Sequence, residues 1–211
     1  MSIPMAFFDI DTQVDFMLPS GNLYVPGAEQ IIPNLVKLVS FARSRDIPVI
    51  SSADAHTPDD PEFSIWPAHC VIGTPGQRRI PETQFINPTI VASKAGAFRP
   101  PDRWSGQTIV EKPTYDSADN PNFDAIMESL GIRRCVVFGV ATEYCVRADC
   151  LSLRKRGVPV ELVTDAIKAI SEEGGKKALA ELSEAGVRMV TANEVIARGV
   201  DDPYCGTCVP D

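Results

Sequence analysis

Apolar side chains at Ile31, Leu35, Leu38, Val39 and Ala42 recur at the spacing of one helix face. They predict an amphipathic helix over residues 28–45, in which Pro33 is tolerated because it falls near the start. Similar patterns predict helices over 122–130, with Pro121 in the first turn, and over 172–185, stopped by Gly186. Short apolar runs lie between them, at 3–11, 47–52, 88–92, 108–112, 134–138, 158–163 and 187–190. Runs of that length bounded by turn residues read as buried strands. The run at 134–138 leads through Gly139 and Cys145 into a further helix that reaches about residue 156, where Gly157 closes it.

Strand and helix therefore alternate along almost the whole chain. That order predicts an α/β fold of three layers, with a mainly parallel, Rossmann-like sheet covered by helices on both faces. No linker or repeat interrupts the pattern, so one domain is expected over 1–211. Two parts stand outside it, an irregular insertion at about 54–87 and a short tail at about 198–211. The insertion is rich in Pro, Asp, Gly and Thr, and loops of that length in compact domains are usually functional.

In open α/β sheets, ligands gather beyond the carboxyl ends of the strands. Asp11, Asp54, Lys112 and Cys145 all fall at such ends. Cys145 sits where a strand gives way to a helix, and the free N–H groups of a helix start lower a thiol's pKa and make it nucleophilic. Asp11 is placed to act as its base and Lys112 to stabilise the thiolate. Each also has a plainer reading: a small buried hydrophobe, a loop carboxylate capping an N–H, and a solvated lysine. The chain's two histidines, His56 and His69, share the insertion with Asp54 and Glu62. Two imidazoles and two carboxylates suit Zn²⁺, Mn²⁺ or Fe²⁺, unless they are ordinary surface groups.

Composition narrows the partners. Of 211 residues, 20 are Lys or Arg and 28 are Asp or Glu, so the net charge is −8. An acidic chain without a basic cluster is a poor partner for nucleic acid or an anionic membrane. No stretch approaches bilayer length and the N-terminal residues carry no leader pattern, so a cytoplasmic protein is expected. There the six cysteines would be thiols or ligands, and the lone pair Cys205 and Cys208 is half a zinc site at best. The composition allows a homo-oligomer without locating an interface.

Taken together, the motifs resemble those of the isochorismatase-like cysteine hydrolases, and within them the nicotinamidase/pyrazinamidase branch. The resemblance rests on Asp11, Gln13, Asp15 and Phe16 near the first strand, on Lys112, on the segment 139–146, and on a loop with Asp54, His56, Glu62 and the run from Trp66 to Thr74. It implies amide hydrolysis through a thioester, with Cys145 as nucleophile, Asp11 as base and Lys112 as the charge partner. It also implies an oxyanion site at the backbone N–H groups of Ala141 and Cys145, a cis peptide at Val140–Ala141, and one divalent metal on Asp54, His56, Glu62 and His69, zinc before manganese or iron. Phe16, Trp66 and Gln13 would contact the substrate, a small amide such as nicotinamide. Three features depart from the family pattern: Glu62 stands where several members carry a third histidine, segment 113–120 differs, and the Cys205–Cys208 tail is extra. They keep two alternatives open: an N-carbamoyl or ureido substrate, and a silent protein that only binds a small molecule. The metal loop argues against isochorismate as the substrate.

Overall fold

The computed structural model describes residues 5–200. Seven strands form one all-parallel sheet: β1 (Ala6–Ile10), β2 (Val49–Asp54), β3 (Thr89–Val91), β4 (Gln107–Lys112), β5 (Cys135–Val140), β6 (Val160–Lys168) and β7 (Arg188–Val190). Their spatial order is β3-β4-β2-β1-β5-β6-β7. The chain builds outward from β1 on one side and then returns to build on the other, so the order reverses between β1 and β5. Such a reversal opens a crevice at the carboxyl ends of the two strands.

Six helices cover the sheet: α1 (Val14–Met17), α2 (Ile32–Ser44), α3 (Phe123–Leu130), α4 (Arg147–Lys155), α5 (Glu172–Glu184) and α6 (Ala192–Arg198). Alternation along β1 divides the core. Phe7 packs with Leu35, Leu38 and Val39 of α2 and Val195 of α6. Ala6 and Phe8 face the other way, toward Ile126 of α3, Leu153 of α4 and Leu182 of α5. Both faces of the central strands are buried, as parallel pairing requires. Among the described residues no helix is long and apolar enough to cross a membrane.

Several boundaries differ from the sequence pattern. The helix expected from residue 28 opens with a 3-10 turn, Ala28–Ile31, before α2. The strand expected at 158–163 runs on to Lys168, with a shift in its register against β5. The polar pair Thr164 and Asp165 hid that continuation. Asp165 is polar because its carboxylate accepts from Ala192 N at 2.8 Å and so receives the start of α6. Neither α1 nor α6 was anticipated, and the first residues of the run at 3–11, with Cys205 and Cys208, lie outside the described residues.

Gly139 is the one position where β5 demands glycine. Its φ is +121°, and a Cβ there would collide with the Ile10 carbonyl of β1. Immediately after it, the Val140–Ala141 peptide is cis. A π-helical turn, Thr142–Val146, then carries Cys145 into α4.

Candidate active site

Four adjacent strands deliver the candidate reacting groups. Lys112 ends β4, Asp54 ends β2 directly in register with it, Asp11 follows β1, and Cys145 follows β5. Lys112 is fully buried. Its Nζ lies 2.9 Å from Asp11 Oδ2 and 3.5 Å from Cys145 Sγ, touches Asp54 Oδ1, and donates to Thr114 O at 2.9 Å. Asp11 Oδ1 accepts from Ser52 Oγ at 2.6 Å, which leaves Oδ2 as the oxygen turned to Lys112.

The electrostatics differ in one respect from the sequence expectation of a lowered thiol pKa. Burial pushes the Cys145 thiol well up, with Lys112 working against that rise. Burial likewise raises the Asp11 carboxyl, again against Lys112. Burial opposes charge on Lys112, but Asp11 and Asp54 outweigh it and raise its pKa. The resting site is thus a thiol beside a carboxylate of increased basicity, bridged by an ammonium. Its geometry suits transfer of the thiol proton to Asp11 as the sulfur attacks.

A second cluster adjoins the first. His56 N donates to Cys70 O and Ile72 N to His56 O, a short parallel bridge that brings the two histidines together with ring centroids 4.8 Å apart. His69 Nδ1 meets Pro67 O at 2.8 Å; a carbonyl only accepts, so Nδ1 carries the proton and Nε2 the lone pair. His56 Nδ1 is engaged by Asp60 Oδ2 at 3.1 Å. Both Nε2 atoms lie 3.6 Å from Asp54 Oδ2. His56 Nε2 is buried without a hydrogen-bond partner.

Two imidazole nitrogens and a carboxylate oxygen converging on one point, one of them otherwise orphaned, fit a divalent cation of the zinc, manganese or iron type. Glu62 lies with His56 and Asp60, their ligand atoms within 4.8 Å of one another, and it lines the cleft beside Asp54 and His69. Burial opposes charge on His56, but Asp54 and Asp60 outweigh it and hold the ring up at about 9. A proton and a metal therefore compete for Nε2. Burial also opposes charge on Asp54, but Lys112 and the two histidines outweigh it and hold its carboxyl well below the usual range.

Both clusters contribute to one cleft, the first through Cys145 and the second through Asp54, Glu62 and His69. Phe16, Trp66, Ala141 and Cys145 line it, as do Tyr115 and Tyr144, two residues the sequence did not single out. Trp66 packs edge-on to Tyr144, and its Nε1 donates to Tyr115 Oη at 2.8 Å.

Gln13 requires a correction. Expected to contact substrate, it is fully buried, and its amide is spent on main chain: Nε2 donates to Asp54 O at 2.9 Å and to Gln77 O at 2.8 Å, while Oε1 accepts from Asp54 N at 2.8 Å. It positions Asp54. Asp15 does the same for the other end of the insertion, accepting from Cys70 N at 2.7 Å next to His69. The polar residues that follow Asp11 thus serve as scaffold for the candidate metal ligands.

Sheet and constellation together define a class: an α/β fold that gathers a thiol, a carboxylate and an ammonium at the carboxyl edge of its sheet. Comparison with known proteins makes the assignment specific. The chain belongs to the isochorismatase domain family, whose model matches residues 5–194. It is similar to the nicotinamidase of Acinetobacter baylyi, 27% identical over 208 residues that cover 90% of this chain and 94% of that protein. The crystal structure of the Pyrococcus horikoshii pyrazinamidase in complex with zinc superposes with a TM-score of 0.73 at 28% identity, over 89% of this chain and 98% of that one. The N-carbamoylsarcosine amidase of Thermoplasma acidophilum also superposes with a TM-score of 0.73, at 25% identity, over 91% and 98%.

Proposed function

We propose that this protein is a metal-dependent amidohydrolase that converts nicotinamide to nicotinate and ammonia. One observation carries the reading: Cys145, backed by Asp11 and Lys112, and the pair Asp54 and His69, backed by His56, open on the same aromatic-lined cleft. A flat heteroaromatic amide presents a carboxamide to the first set and a ring nitrogen to the second.

Asp11 Oδ2 takes the proton of Cys145 as Sγ bonds to the carboxamide carbon. Lys112 offsets the negative charge passing between them. The oxyanion is held by the backbone N–H groups of Ala141 and Cys145. The adduct collapses, the C–N bond breaks, and ammonia leaves with the proton from Asp11. Asp11 then removes a proton from water, which cleaves the thioester, releases nicotinate and restores the thiol. Asp54, His56 and His69, with Glu62, would hold a divalent ion, zinc before manganese or iron, which supplies a Lewis-acidic anchor for the ring nitrogen. Phe16 and Trp66 offer aromatic faces to the ring. The four described cysteines are free thiols, which supports a reducing, cytoplasmic setting.

The likeness to an N-carbamoylsarcosine amidase favours a second reading, the same chemistry on an N-carbamoyl or ureido amide. The test is ammonia release by zinc-loaded protein from nicotinamide and from an N-carbamoyl amino acid. Turnover of nicotinamide that disappears in Cys145→Ala supports the first reading. Turnover of the carbamoyl compound alone replaces it with the second. No release from either substrate at millimolar concentration overturns both.

A further inference from the structure

One buried carboxylate has no part in this chemistry. Asp149 lies one helical turn beyond Cys145, is fully buried, and spends both oxygens on a single residue. Its Oδ1 accepts from Ser117 N at 2.7 Å and its Oδ2 from Ser117 Oγ at 2.9 Å. Ser117 opens the 3-10 turn Ser117–Asp119, five residues after Lys112. Beside it, Asp116 accepts from Ser152 Oγ, further along α4, and from Ala118 N at 2.8 Å. Two rungs therefore fasten segment 113–119 to the helix that follows the nucleophile.

That segment carries Tyr115, whose hydroxyl accepts from Trp66 Nε1. An indole N–H only donates, so the direction of this bond is fixed. The bond joins two loops far apart in sequence, one from the candidate metal insertion and one after β4. A carboxyl group at full burial is costly unless every oxygen is matched, and here the match is made wholly by the segment that holds Tyr115. Burial pushes Asp149 up to about 8, against Lys112; in the neutral acid the hydroxyl bond reverses, Oδ2–H donating to Ser117 Oγ, and an asparagine Nδ2–H can imitate that donor.

We propose that Asp149 is a positioning residue for substrate selection: through Ser117 it holds segment 113–119 so that Tyr115 stays bonded to Trp66 on the outer rim of the cleft. The span of the cleft open to a planar amide is thereby set from the nucleophile's own helix. The kinetic part of this proposal rests on the hydrolase reading above; the clasp between Tyr115 and Trp66 does not.

The test places Asp149→Ala, Asp149→Asn and Tyr115→Phe in a Trp104→Phe background, where Trp66 is the sole fluorophore of its kind. Asp149→Ala is expected to shift Trp66 emission to the red and to increase its quenching by acrylamide. Asp149→Asn is expected to keep the parent spectrum. KM for the amide rises about fivefold in Asp149→Ala, the equivalent of one hydrogen bond, while kcat stays within about twofold. Tyr115→Phe added to Asp149→Ala raises KM no further. An unchanged Trp66 spectrum in Asp149→Ala with native circular dichroism overturns the proposal. So does a shifted spectrum with unchanged KM. Should Asp149→Ala fail to fold, Ser117→Ala removes the hydroxyl bond of that rung from the opposite partner and is expected to shift the spectrum part of the way; a parent-like spectrum there overturns the proposal. A protein inactive on every amide but showing the expected spectra retains the clasp and loses the substrate assignment.

Discussion

Replacing Lys112 with methionine isolates the charge that links the proposed base, Asp11, to the proposed nucleophile, Cys145. The ammonium lies 3.5 Å from Cys145 Sγ in a fully buried setting. At an effective dielectric of about 20, that separation is worth about 5 kcal/mol to a thiolate, or three to four powers of ten in its population. A thiolate of higher pKa is intrinsically more nucleophilic, and with a Brønsted slope of about 0.4–0.5 this returns nearly half of the loss. The net expectation for Lys112→Met is a fall of about 100-fold in the rate at which a small disulfide reagent modifies Cys145 at pH 7. Cys70, Cys135 and Cys150 are buried thiols too, so modification must be counted on the Cys145 peptide by mass spectrometry. The substitution also leaves Asp11 and Asp54 without their shared cation, at a cost of about 3–5 kcal/mol, so the folded fraction is measured in parallel. A natively folded Lys112→Met whose Cys145 reacts within fivefold of the parent would refute the electrostatic argument.

Asp60→Ala should weaken zinc binding by about 10- to 100-fold in a chelator competition, because Asp60 fixes the His56 ring through Nδ1; unchanged affinity would mean that the ring holds itself. Gly139→Ala should cost more than about 3 kcal/mol in denaturant unfolding, since its φ and the Ile10 carbonyl both exclude a Cβ. Asp149 sets a pH dependence. Its folded pKa of about 8 lies above the unfolded value of 3.8, so the folded state holds a proton that the unfolded chain releases between those two values. Its contribution to stability is therefore complete at acid pH and is lost as pH rises toward 8, at about 1.4 kcal/mol per unit. Asp149→Asn should flatten that slope, and parallel slopes in parent and variant would count against a neutral Asp149.

The sheet was legible because parallel strands buried on both faces leave uninterrupted apolar runs, and Asp11, Lys112 and Cys145 could be picked out because they follow such runs. What escaped depends on contacts between distant parts of the chain. Gln13 was expected at the substrate only through the family resemblance, yet its amide is consumed by the Asp54 main chain. Asp60, Tyr115 and Tyr144 carry no periodic signal; Asp60 meets its partner His56 within the irregular insertion, and Tyr115 and Tyr144 meet Trp66 from distant parts of the chain. Helix α1 has four residues, too few for a period to register. Helix α6 carries a local signal that the apolar pattern missed, the capping box of Thr191 and Glu194 three residues apart.

The order β4-β2-β1-β5 has a further consequence. Lys112, Asp54, Asp11 and Cys145 stand on four consecutive rails whose gauge, about 4.8 Å, is set by backbone hydrogen bonding rather than by side-chain choice. The loops at 55–87 and 113–122 hang from those rails without altering the gauge. Exchanging these loops for others of similar length is therefore a route to new substrates that leaves the tooling for carbonyl attack in place. A change in one of the four strands would instead throw every reacting group out of alignment at once.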